Sequence, residues 1–344
     1  MLAALSWITV SFSLYAIPET NYEEAFFNTV LPFYESKTVS GSFIGKKNIN
    51  IHYRFLKHPN EKAAIVIFPG RTESAFKYAE IIYDLYADGY SFYIMDYRGQ
   101  GASGRLTGDS QISHVEDYDD YVADLNVFLH TVVDQHSKGV KLAIAHSMGA
   151  NILSLFLSQQ QNYFQAAALS SPMLDLKTFG LPQKLIWGLF KVVEKLGFGE
   201  RYIPSQGPYK PDLEWYNGTH SQVRYRVFTK LREERKNELM GGSSITFGLR
   251  SLEATWKMRE QAGNIQLPLL MFQAGNDQLI LPHGQNYVCQ HAKKCRLVHF
   301  PDAYHEILVE ADPIRNRALQ EIRTLFADTV NAAAPGAAGS PAKK

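Results

Sequence analysis

Cysteine is scarce in this sequence: 344 residues contain two, Cys289 and Cys295. That excludes a Cys-rich zinc module and a disulfide-dense scaffold, while leaving the pair free to form one bridge. No sign of charge dominates either, with 35 Lys and Arg against 34 Asp and Glu and a formal net charge of +1. Nucleic acid is therefore excluded as the main partner, since such binders carry a strongly basic domain. No internal repeat is visible. Charge is absent from Met1 to Pro18, a mostly apolar stretch. Segment 1–18 reads as a signal or membrane-attachment segment, with Ser11, Ser13 and Ala16 near a cleavage position. No Lys or Arg precedes the run and four Ser or Thr interrupt it, so it is poor as a spanning helix of about 20 apolar residues. The expected location is the cell envelope, by export or peripheral attachment; the alternative is an ordinary buried N-terminal helix in a cytoplasmic protein.

What is present is ample apolar material, 45% of residues against 20% charged, enough for a globular core and too little charge for disorder. Imperfect alternation from Phe43 to Phe55 around Gly45, Lys46, Lys47 and Asn48 predicts a hairpin. Beyond it, short apolar runs alternate with stretches of helical period. Ala63–Phe68, Ser91–Met95, Lys141–Ala145, Ala166–Ser170, Pro268–Phe272 and Arg296–Phe300 read as buried strands. Ser74–Ala87, Asp117–Gln135, Gly149–Gln160 and Gly284–Ala292 read as helices. The alternation implies an α/β fold whose central sheet is mostly parallel and flanked by helices.

Between Pro172 and Pro268 the alternation lapses, so residues 173–266 are expected to form a helical cap inserted between two parts of the core, 19–172 and 267–330. Within it, Leu185, Ile186, Leu189, Phe190 and Val193 share one helical stripe, which reads either as a helix packed on the core or as an apolar lid. From Arg224 to Glu238, six basic residues (Arg224, Arg226, Lys230, Arg232, Arg235, Lys236) face three acidic ones. They form a solvated helix face or a basic edge for phosphate or an anionic bilayer. Residues 331–344 read as a low-complexity, disordered tail.

The sharpest chemical signal is Ala145-His146-Ser147-Met148-Gly149, set between a strand and a helix. A serine on such a strained turn is held out at the end of the sheet, and small neighbours let the chain bend. Ala145 stands where G-x-S-x-G has its first glycine. Serine is a weak nucleophile, so it needs a base, and the base needs an orienting carboxylate. In strand-turn-serine folds these follow in the order acid, then histidine. Asp277 follows one late strand and His305 another. Asp302 and Glu306 compete for the acid role but share His305's own short loop. An oxyanion needs backbone donors; Met148 offers one, and Arg71, in the loop after the third strand, is the candidate for the second. Two other motifs fail. Gly99-Gln100-Gly101-Ala102-Ser103-Gly104 matches G-x-G-x-x-G but no helical stripe follows, and His305-Glu306 begins H-E-x-x-H yet position 309 is Val.

With those residues in place the chain resembles the serine hydrolases of the α/β-hydrolase superfamily, and more narrowly the bacterial lysophospholipases related to monoacylglycerol lipases. The segments that carry the likeness are PGRTESAFKYAE, MDYRGQGASGR, HVEDYDDYVADL, AHSMGA, THSQVRYR and AYHEILVE. The resemblance implies an α/β-hydrolase fold, Ser147, Asp277 and His305 as the triad, Arg71 and Met148 at the oxyanion hole, and no metal or organic cofactor. It implies a lysophospholipid or monoacylglycerol substrate, cleaved through an acyl-serine with acyl transfer as a side activity. Leu185, Ile186, Leu189, Phe190 and Val193 would then wall an acyl slot, with a peripheral membrane surface as a further partner. Two other readings stay open: a carboxylesterase or thioesterase for small acyl groups, and a non-catalytic lipid- or partner-binding protein.

Overall fold

The structure, a computed structural model, describes residues 16–178, 180–211 and 218–333. The export reading of residues 1–15 and the tail reading of residues 334–344 lie outside the described residues. Eight strands form one sheet in the order β1-β2-β4-β3-β5-β6-β7-β8. They are β1 (Val39–Ile44), β2 (Asn50–Leu56), β3 (Ala63–Phe68), β4 (Tyr90–Met95), β5 (Val140–His146), β6 (Ala166–Ser170), β7 (Pro268–Ala274) and β8 (Lys294–Phe300). β1 and β2 are the expected hairpin, turning at Lys47 and Asn48, both with positive φ. β2 also runs antiparallel to β4, and every later pairing is parallel. Every residue of β3, β4 and β6 is buried, as expected where helices cover both faces of a parallel sheet.

The helices are α1 (Tyr22–Ala25), α2 (Leu31–Lys37), α3 (Ala79–Tyr86), α4 (Tyr118–Phe128), α5 (Asp134–His136), α6 (Ser147–Gln159), α7 (Gln183–Val193), α8 (Gln222–Glu234), α9 (Ile245–Gln261), α10 (Pro282–His291) and α11 (Asp312–Ala333). Side chains of α4, α6, α9 and α10 join one apolar cluster. Those of α1, α3, α8 and α11 join a second. Two expectations need correction. α9 lies in the stretch expected to form the cap, yet Phe247, Ala254 and Met258 sit in the α6 cluster, so α9 is the core helix that precedes β7. The expected tail also begins too early, because α11 continues through Asn331, Ala332 and Ala333; alanine has the highest helix propensity and extends the last turn.

Two fully buried arginines cross-link distant parts of the chain: Arg224 joins residue 17 to residues 310–312, and Arg315 joins α11 to α3. Arg224 of α8 donates to Glu80, to Asp312, to the Glu310 carbonyl and to the Ile17 carbonyl. Arg315 of α11 donates to Asp84 and to the Leu308 carbonyl. Glu19 and Asp312 exchange two backbone-to-carboxylate hydrogen bonds. These contacts revise the basic stretch of α8. Arg224 is buried, Arg232 bonds the Met240 carbonyl, and Arg235 lies over the Phe76 ring and pairs with Glu35. Half of the six cations are therefore tied into packing and do not form a basic edge.

Candidate active site

β5 ends on His146 and α6 starts on Ser147. Ser147 has φ of 49°, a left-handed conformation that an L side chain adopts only under constraint. The constraint is the close approach of Gly149 to the end of β3. A Cβ at Gly149 would lie 2.3 Å from the Pro69 carbonyl oxygen and 2.4 Å from that of Phe68, so no other residue fits. Ala145 pairs in register with Phe68 inside the sheet, where its methyl is fully buried.

The strand ends bring the three sequence-derived residues together. His305 Nε2 lies 2.9 Å from Ser147 Oγ, and His305 Nδ1 lies 2.7 Å from Asp277 Oδ2. A carboxylate only accepts, so Nδ1 carries the proton and Nε2 is free to accept the serine's. Asp277 is itself held: its Oδ1 accepts from the Leu279 and Ile280 N–H groups, and its carbonyl accepts from Lys177. Burial pushes the Asp277 carboxyl up, but the hydrogen bond and charge of His305, with those two N–H donors, hold it below the usual carboxylate range. Neither competing acid is on His305 Nδ1. Asp302 is exposed, and Glu306 pairs with Lys77.

The loop after β3 is fastened from several sides. The Gly70 N–H donates to Glu73, the Thr72 N–H to the side chain of Gln100, and the Arg71 guanidinium to the Gly241 carbonyl and Ser113. Arg71's side chain is thus an anchor for the loop that presents its backbone. Met148 is fully buried in the first turn of α6, where a helix N–H has no intrahelical acceptor. The glycines of the failed dinucleotide motif are turn formers: Gly99 and Gly101 have positive φ, and the turn they make carries Gln100.

Sequence reasoning missed a buried cluster behind the serine. Glu73 accepts from Lys77, Tyr78 and His146, and Lys77 also bonds Glu306. Glu73 and Lys77 stand at i,i+4 spacing, but His146 and Glu306 join them from 73 and 229 residues away, so no local pattern pointed to the cluster. The α7 stripe is also arranged differently from the expected slot wall. Leu185 and Leu189 are 50% and 52% exposed, and neither described cavity near the site is lined by α7. Phe190 instead approaches Gly248 of α9, and Trp187 bonds Glu253 beside Trp256. Ile186 and Val193 are half-buried along the same helix. The helix packs on α9 by a small-residue contact and two tryptophans, which leaves its leucines outward.

Comparison with known proteins adds a lineage to this geometry. A family model described as serine aminopeptidase, S33, matches residues 59–312. Lysophospholipase L2 of Escherichia coli is 31% identical over 296 residues, covering 83% of this chain and 86% of its own. A protein of Haemophilus influenzae named probable lysophospholipase L2 is 28% identical, covering 85% and 93%. Among solved structures, a soluble variant of monoglyceride lipase from Saccharomyces cerevisiae superposes with a TM-score of 0.67 at 18% identity, covering 84% and 94%.

Proposed function

The chain belongs to the serine aminopeptidase S33 family of α/β-hydrolases, and on that premise we propose that it hydrolyses the ester of single-chain acyl lipids, lysophospholipids and monoacylglycerols. The observation that carries the reading is the continuous hydrogen-bonded line from Ser147 through His305 to Asp277 at the start of α6. Ser147 Oγ attacks the acyl carbonyl as His305 Nε2 takes its proton, and Asp277 stabilises the imidazolium. The Met148 and Arg71 N–H groups receive the oxyanion. Collapse expels the alcohol, which takes the proton back from His305. Water, activated by the same imidazole, then releases the fatty acid from the acyl-serine, and a lipid alcohol in its place would give acyl transfer. The relatives named lysophospholipase L2 support lipid esters over small ones.

A lipid surface is the partner this reading requires. α7 supports it: Leu185, Leu189 and Val192 lie along its outer face, continued by exposed Leu196 and Phe198, with Lys184, Lys191 and Lys195 in a row beside them. Apolar stripes edged with lysine suit the interface of an anionic bilayer. We place the protein in the cell envelope, supported by the bond between Cys289 and Cys295, since such bridges persist in oxidising compartments.

The test is a series of lysophospholipids and monoacylglycerols from butyrate to oleate, scored by kcat/KM. Rising efficiency with chain length, and slower cleavage of diacyl lipids, is expected. A peak at butyrate would overturn the lipid reading and favour a small-ester esterase.

A further inference from the structure

His146, the residue before the nucleophile, is buried, and no described step of the reaction uses its side chain. Its Nδ1 lies 2.9 Å from Glu73 Oε1. Glu73 also receives the Gly70 N–H, the Tyr78 hydroxyl and the Lys77 ammonium, so it is a carboxylate and Nδ1 must carry a proton. On the other edge of the ring, Nε2 has no hydrogen-bond partner and faces Glu306 Oε2 at 3.7 Å. A neutral ring would therefore aim a lone pair at a buried carboxylate. A second proton turns that repulsion into attraction, and both edges of the ring then face acids.

The count of charges agrees. Glu73 and Glu306 are two negative groups, and Lys77, bonded to both, supplies one positive charge; an imidazolium at His146 supplies the second. Lys77 also occupies the position between the carboxylates that a metal ion would need, since its Nζ is 2.6 Å from Glu73 and 2.5 Å from Glu306. Burial opposes a charge on His146, yet the carboxylates of Glu306 and Glu73 outweigh it and hold the ring above the usual histidine range. The other ionisable groups near the ring are Tyr22, Tyr78, Glu80 and Arg224, which line the same cavity, and the pair His305 and Asp277.

The ring centroids of His146 and His305 are 4.9 Å apart. We propose that His146, held as an imidazolium between Glu73 and Glu306, is a positioning residue that sets the pH range over which His305 acts as a base. A cation at that distance disfavours a second one on His305, so the catalytic ring stays neutral to lower pH than it would beside a neutral neighbour. Discharging His146 leaves the cluster with one net negative charge, which favours protonated His305.

The proposal rests on His305 being the base, and its test separates the two. For the variant His146→Asn, which keeps a donor near the Nδ1 position without the charge, kcat/KM is measured against pH with a soluble p-nitrophenyl ester. The acid limb is expected to move up by roughly one pH unit. A lower plateau with an unmoved limb would mean a structural role only and overturns the proposal. Nitrogen-15 NMR of the full chain needs no substrate, and it should show one buried histidine protonated on both nitrogens at pH 7. Glu306→Gln identifies that ring, whose titration should move to lower pH when the acid facing Nε2 is lost. A single neutral tautomer at pH 7 in the wild type overturns the proposal even if neither variant folds.

Discussion

Ser147 sits in a backbone conformation that only its surroundings enforce, and the same surroundings make its hydroxyl reactive. Ser147→Ala should abolish both hydrolysis and labelling by a fluorophosphonate probe, read by intact mass; stoichiometric labelling of the variant would move the nucleophile elsewhere. Asp277→Asn should lower turnover by roughly a thousandfold or more, because the imidazole loses the partner that sets its tautomer. Full activity in that variant would pass the role to Asp302 or Glu306. Gly149→Ala drives a methyl into two backbone carbonyls that cannot rotate away, so denaturant melts should show a loss on the order of 3 kcal/mol. The buried cluster also predicts how stability follows pH. Glu73 and Glu306 are held below their usual range in the folded state. Their contribution is complete above the unfolded value of about 4.3 and is lost as pH falls through the folded value. His146 is shifted the other way: its contribution is complete below about 6.5 and is lost as pH rises through the folded value. The melting temperature of wild type should therefore fall on both sides, and His146→Asn should flatten the alkaline side and also make the acid side shallower, because the His146 charge helps hold both carboxyls down.

Among the elements, the inner strands were the most legible, because a mainly apolar run of five or six residues has few uses other than a sheet covered on both faces; Arg296–Phe300 read as buried too, yet β8 is an edge strand with only Val298 and Phe300 buried. The catalytic line was readable for a related reason: each member follows a strand, and strand ends of a parallel sheet converge on one edge. Helices were harder. α9 was misplaced because its pattern does not state which face of the sheet receives it, and Arg224 looked like surface charge until its partners Glu80 and Asp312 were brought to it by the fold. α7 read as apolar from its stripe, but periodicity alone could not say that its leucines would face out. That outward face leads to a prediction at this scale. Leu185→Ser combined with Leu189→Ser should weaken partition onto anionic vesicles by about tenfold or more in a sedimentation assay, from the lost apolar area alone. Hydrolysis of a short soluble ester should be little changed. Equal loss of both would return α7 to the acyl slot and remove it from the membrane.

For the molecule as a whole, the bond between Cys289 in α10 and Cys295 in β8 closes a loop of only a few residues. On the chain-entropy view its reduction should lower stability by about 2 kcal/mol, measurable as a shift in denaturant midpoint with and without reductant. Mass spectrometry of protein from its native source should find the two sulfurs joined; free thiols would defeat the envelope assignment. The ties of Arg224 and of Glu19 act on a different axis, time. Glu19 and Asp312 are 293 residues apart, so Glu19 leaves a ribosome long before its partner at the start of α11 exists. Until α11 is made, Arg224 lacks the Asp312 and Glu310 acceptors that help offset its burial. The seam between α8, Ile17 and residues 310–312 therefore gains its full set of hydrogen bonds only when the C-terminal part is present, whereas α2 already has α3 to pack on. A seam written by both halves of the sequence is thus the last to be completed, and a chain cut short before Glu310 would carry Arg224 without half of its acceptors.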